Sequence, residues 1–172
     1  MDLGSYVEVD GRPAVRFERV YPHPIERVWR AISEPGKLAG WFPSAVTIEP
    51  RPGGTVSFSA DPNLTDSTGR VMAYEPPRKI AFTWGGDELH LTLEPAGAPG
   101  TRLTLVNVLE DPAAAARNAA GWAVCLAELD RVVGGHPGDG PHGPAATARW
   151  RLLYDAHLAA GLPGGAPVPD SA

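Results

Sequence analysis

A single cysteine, Cys125, is all the thiol that this chain of 172 residues carries, so it can form neither a disulfide within itself nor a cysteine-rich metal site. Basic runs are missing as well. Lysine and arginine number 15 against 20 acidic residues, a formal charge of −5 with no basic cluster. A non-specific nucleic-acid binder needs such a cluster to neutralise phosphates, and an anionic membrane surface attracts by the same means, so neither partner is expected. No apolar run reaches the about 18 residues of a membrane span. Acids at Asp2, Glu8 and Asp10 interrupt the start, where a signal peptide would build its apolar segment. A cytoplasmic location is the expectation. The P-loop, the H-E-x-x-H zinc motif and the G-x-S-x-G nucleophile elbow are absent, and no cofactor or metal is expected.

What is present suffices for one domain. Hydrophobic residues make up 43% of the chain, with five Trp, four Phe and four Tyr, enough apolar side chain to offset chain entropy around one core. Glycine and proline punctuate the turns and crowd the last forty residues. Residues 14–20 alternate as a strand does. Ile25, Val28, Trp29 and Ile32 then follow at helical spacing, and Pro35-Gly36 ends that helix before one more short turn. From residue 45 the period becomes two, with strands predicted at 45–49, 55–59, 68–75, 78–84, 87–94 and 101–109. The turns between them are too short for parallel crossovers, so the pairing is antiparallel. Asp111-Pro112 is a helix-start signal. Behind it Ala115, Ala119, Trp122, Leu126, Leu129 and Val133 form one apolar stripe, made to lie on the sheet. Residues 134–144 read as a Gly/Pro linker. Trp150, Leu153, Tyr154, His157 and Leu158 then share a face of a last helix, over 145–160. A helix that short is marginal alone, so it docks on the domain or on a second subunit, which leaves a homodimer open. Residues 161–172 are expected to be a disordered tail.

The order of strand, two short helices, meander and long helix resembles the helix-grip fold of the START-like, or SRPBCC, superfamily. More locally, YPHPIERVWRAISEPGKLAGWF at 21–42, GGTVSF at 53–58, GRVMAYEPPRKIAFTWG at 69–85, GTRLTLVN at 100–107 and GWAVCLAELDRVV at 121–133 resemble bacterial AHSA-type proteins, named for an activator of the Hsp90 ATPase. The resemblance spans residues 14–133. It implies an α+β fold (START-like, Bet v-like) in which a curved antiparallel sheet of about seven strands grips the long helix. It also implies a cavity between them that often holds an apolar small molecule. Superfamily members include carriers, cyclases, hydrolases and co-chaperones, so function has to be argued from the site.

The aromatic residues are the strongest candidates for that site. Trp41, Phe42, Phe58, Phe82, Trp84 and Trp122 come from four separate elements, and Phe82 and Trp84, two apart on a strand, point the same way. They form either an apolar ligand pocket or a filled core. His90 and Asn107 are the candidate polar members of a ligand set and the candidates for catalysis. An imidazole facing the cavity is a general acid or base near neutral pH, and a buried amide orients a carbonyl. The bland alternatives are a cross-strand pair on the solvated face for His90 and a backbone-satisfying amide for Asn107. His23, His136 and His142 read as surface or loop residues, His157 as a hydrogen-bonded core imidazole, and Cys125 as an inert buried thiol. Three functions follow: binding of an apolar or aromatic small molecule, cyclase-like or hydrolase-like catalysis, and a co-chaperone-like protein interaction. For the last, no specific chaperone contact is legible.

Overall fold

A computed structural model describes residues 2–169. The chain opens with a hairpin of β1 (Ser5–Val9) and β2 (Arg12–Tyr21), joined by Asp10-Gly11. Both turn residues have positive φ, 48° and 78°, as the tightest hairpin turns require. Two helices follow, α1 (Ile25–Ser33) and α2 (Pro35–Leu38). The meander comes next: β3 (Ala45–Ile48), β4 (Thr55–Ser59), β5 (Ser67–Glu75), β6 (Lys79–Trp84), β7 (Asp87–Pro95) and β8 (Thr101–Val108). The sheet is antiparallel, in the order β1-β2-β8-β7-β6-β5-β4-β3. It has eight strands where about seven were expected, and β1 is the addition.

Alternation decides which side of the sheet is the core. On β7, Leu89, Leu91 and Leu93 are buried, and their cross-strand partners on β6 and β8 are Phe82, Ile80, Asn107, Leu105 and Leu103. The long helix α3 (Ala115–Val133) lies on this face, entered through a 3-10 turn at Pro112–Ala114 that Asp111 caps by accepting a bond from the Ala113 amide at 2.9 Å. Every residue of the expected stripe is buried. Such burial stabilises by roughly 1.5–3 kcal/mol for each large apolar side chain, so Trp122, Leu126 and Leu129 hold helix and sheet together. Among the described residues no helix is long and apolar enough to cross a membrane.

The C-terminal third is fastened more closely than its composition implies. The 134–144 segment passes over Gly40: the Gly140 amide donates to the Gly40 carbonyl at 3.2 Å, and Gly138 lies so close to that carbonyl that a Cβ would collide with it. Arg131 binds the Asp139 carboxylate at 2.6 Å, and the Asp139 amide donates to Glu128 at 2.7 Å. The last helix, α4 (Pro144–Ala159), packs on α3 of its own chain through Leu153 and His157. The expectation of a disordered tail from 161 is corrected as far as 169, and residues 170–172 lie outside the described residues. Leu162 is buried, the Ala116 amide donates to Pro163 O, and the Ala166 amide donates to Ala113 O. Through Pro163 the tail thus takes up an amide that the first turn of α3 would leave unpaired.

Candidate functional site

The aromatic candidates converge. Phe42, just past α2, sits at the centre, its ring centroid 5.2 Å from Trp84, 5.6 Å from Trp122, 6.3 Å from Phe82 and 6.4 Å from Phe58. Trp84 stacks on Phe58 at 5.4 Å with 18° between planes, and meets Trp122 edge-on at 5.8 Å. Strand alternation puts Phe58 on β4 and Phe82 and Trp84 on β6 on the helix side, while the α3 stripe supplies Trp122. Trp41 stands apart as a fixture: fully buried, it donates its indole N–H to Ala31 O at 2.9 Å and meets Phe42 edge-on.

These rings fill the space they share. Phe42, Phe58, Phe82 and Trp122 are buried, and only Trp84 is partly exposed. Beside Trp84 and Phe58 a crevice of about 160 Å³, too narrow for water, is roofed by residues 59–67, including Asp61 and Leu64. Asp61 caps its own turn by accepting from the Asn63 amide at 2.8 Å. The linker's His142 lies nearby, its Nε2 2.7 Å from Pro43 O and 3.9 Å from Asp61.

Asn107 faces the helix, but every polar atom of its side chain is committed. An indole N–H can only donate, so the amide oxygen must be the atom that accepts from Trp122 Nε1 at 3.1 Å; it also accepts from Asn118 at 3.0 Å. The amide nitrogen then donates to Asp87 at 3.0 Å. Asp87 accepts further from Asn118 at 3.2 Å and from the Glu110 amide at 2.9 Å. The network ties the end of β8 and the start of β7 to the first turns of α3. Asp87 and Asn118 were not anticipated as a pair with Asn107. Asn118 lies four residues before Trp122 and so on the same helix face, which was the available signal.

His90 is not a member of this site. Its register partners Ala81 and Val106 belong to the opposite face of the sheet, away from α3. There His90 Nε2 meets Glu88 at 3.0 Å, and Glu88 in turn accepts from Arg12 at 3.1 Å. The expectation of His90 as a pocket residue is therefore corrected: with leucines at 89, 91 and 93 directed to the core, a period of two sends 90 outward. Cys125 is buried in α3, and desolvation pushes its thiol pKa well up, so it stays protonated and unreactive.

The family model described as activator of Hsp90 ATPase homolog 1-like protein matches residues 22–134. The chain belongs to this family. No curated protein matches in sequence. Among solved structures, CalU16 from Micromonospora echinospora superposes with a TM-score of 0.71 at 20% identity, covering 92% of this chain and 96% of its own. EF2215 from Enterococcus faecalis, a conserved protein of unknown function, also gives 0.71 at 20% identity, over 91% and 89%. The BPP1335 protein of Bordetella parapertussis gives 0.70 at 24% identity, over 99% and 96%. At these identities the likeness establishes the helix-grip fold. Family and fold together support a domain of the ligand-binding or co-chaperone-like kind.

Proposed function

We propose that the chain is a non-catalytic binding protein for a small apolar or aromatic molecule, taken up at the ring cluster from the Trp84 side. The observation that carries this reading is Trp84 itself: a partly exposed indole stacked on Phe58, at a crevice roofed by a largely exposed loop. Leu64 in that loop is 55% exposed, so lifting it uncovers little buried apolar surface. A flat ligand that takes the loop's place beside Trp84 meets the Trp84 and Phe58 rings. No cofactor is involved, and the acidic, cysteine-poor composition fits a cytoplasmic setting.

Catalysis of the cyclase or hydrolase kind needs a free polar group facing the rings. His90 lies on the other face of the sheet and Asn107 is fully bonded, which favours binding without turnover.

Titration with 1-anilinonaphthalene-8-sulfonate, followed by tryptophan quenching, tests the reading. Saturable quenching is expected. Trp84→Leu should weaken it about three- to tenfold, the equivalent of the roughly 0.5–1.5 kcal/mol that an aromatic pair contributes. Its far-ultraviolet circular dichroism should be unchanged. Quenching that never saturates, or equal affinity in Trp84→Leu, would sink this reading and leave a co-chaperone-like contact surface in its place.

A further inference from the structure

Strand β2 outruns its partner. Pairing with β1 ends at Ser5 opposite Arg16, so Phe17 to Tyr21 are bonded on one side only, to β8. The cause is local. Gly4 lies flat against the Phe17 ring, where a Cβ would stand 2.6 Å from ring carbons, and its amide donates to His157 Nε2 at 2.9 Å. This draws the chain start away from the sheet toward α4. A cleft of about 730 Å³ opens where β1 would have continued, and Asp2, Phe17, Arg19, Tyr21, His23 and Asp130 are among its walls.

Two features mark this cleft as more than a gap. Tyr21 is 6% exposed, and its Oη makes no well-formed hydrogen bond among the described residues, only a loose approach to the Asp130 carboxylate, which is costly for a buried hydroxyl. Asp130, on the last turns of α3, stands beside that phenol, and no cation lies within ion-pair distance of it among the described residues. Desolvation pushes both groups above their ordinary pKa values. The remaining charges set the sign of the field. Glu18 is neutralised by Arg16 at 3.0 Å and Arg102 at 2.8 Å, and Arg19 is held over the Phe17 ring at 5.7 Å with one N–H on Glu18 O. Arg19 and Arg149 act on Asp130 only from beyond ion-pair distance, so the Asp130 carboxylate, with Asp2 near it, keeps room for a closer cation.

We propose that this cleft binds a small organic cation, a primary or secondary amine, whose N–H groups donate to the Asp130 carboxylate and the Tyr21 oxygen while its carbon body lies against Leu3, Val20 and Pro22. The site is independent of the ring cluster: Asp130 is eight residues beyond Trp122, about 12 Å along α3 at the helical rise.

The test is a titration of the full chain with phenethylammonium chloride, followed by amide chemical shifts, with 2-phenylethanol as the neutral isostere and 3-phenylpropionate as the anion. Saturable shifts confined to residues 17–23 and the end of α3 are expected for the amine, with the alcohol and the acid at least about tenfold weaker, as a charge-assisted hydrogen bond implies. Asp130→Asn, at an exposed helix position, should weaken amine binding about tenfold or more, and Tyr21→Phe about threefold or more. Asp130→Asn should leave anilinonaphthalene sulfonate binding at the rings unchanged, which separates this site from that one. Equal binding of amine and alcohol, no saturation by the amine, or unchanged amine affinity in Asp130→Asn would overturn the proposal.

Discussion

Removing the Asp87 carboxylate should cost more stability than its place at the start of a strand implies. Three donors converge on it: the Asn107 and Asn118 amides at 3.0 and 3.2 Å and the Glu110 backbone at 2.9 Å. The Glu110 bond is exposed, so water replaces it at small cost. The Asn107 amide is different, because Asn107 is 2% exposed and its oxygen is held by Trp122, so it has no freedom to turn to solvent. Without Asp87 the Asn107 nitrogen keeps only its longer bonds to the Glu88 and Val108 carbonyls, both at 3.3 Å, so what is lost is the hydrogen bonding to a charged group, and Asp87→Ala should destabilise by about 1.5–3 kcal/mol. For a chain of this length that lowers Tm by about 5–10 °C. The isosteric Asp87→Asn should be no better: its amide must present N–H groups either to the Glu110 amide or to the two asparagine amides, donor against donor. Urea denaturation followed by tryptophan fluorescence measures both variants. An Asp87→Asn midpoint equal to wild type would refute the bonding pattern, and an Asp87→Ala loss below about 0.5 kcal/mol would show that the Glu88 and Val108 carbonyls satisfy Asn107 on their own.

Two further outcomes follow from groups near the chain ends. His157 donates from Nδ1 to Leu153 O at 2.7 Å and accepts the Gly4 amide at Nε2, so the folded ring is neutral, and burial lowers its pKa from 6.5. Its contribution is therefore complete above about pH 6.5, is lost as pH falls toward and through the lower folded value, and should be missing from the stability profile of His157→Leu; identical slopes between pH 5 and 6.5 would count against it. Gly138→Ala drives a Cβ into the Gly40 carbonyl and should lift the 134–144 segment, making it cleavable in limited proteolysis where the wild-type segment resists; equal resistance in both would show that the contact is dispensable.

Periodicity made most of the architecture legible. The six meander strands, the α3 stripe and the helix-start signal at Asp111 are local features that tertiary contacts then reinforce. Strand β1 was not expected, although Asp10-Gly11 between two alternating runs is itself a hairpin signal: it is a five-residue edge strand, largely exposed, and so has little apolar alternation to show. His90 shows the limit of alternation: it says that 89 and 90 face opposite ways, and only the burial of the leucine row says which way is inward. The docking of 134–144 and of the tail was out of reach for a different reason. Backbone bonds such as Gly140 to Gly40 and Ala116 to Pro163 leave no trace in side-chain pattern. Asn107 was marked as odd in an apolar strand, but its partners Asp87 and Asn118 lie 20 and 11 residues away and meet only in the fold.

The bond from the Gly4 amide to His157 joins positions 153 residues apart. Synthesis at about 5–20 residues per second separates their appearance by on the order of ten to thirty seconds. Throughout that interval the first strand has its hairpin partner but not the imidazole that pulls its leading end off the sheet. The nascent chain is therefore free to extend β1 along β2 beyond Ser5 and Arg16, in the same register, where the finished protein stops. Only the arrival of α4 supplies the acceptor that holds this end away from β2, so the cleft at Tyr21 can take its final walls only once the last helix has been made.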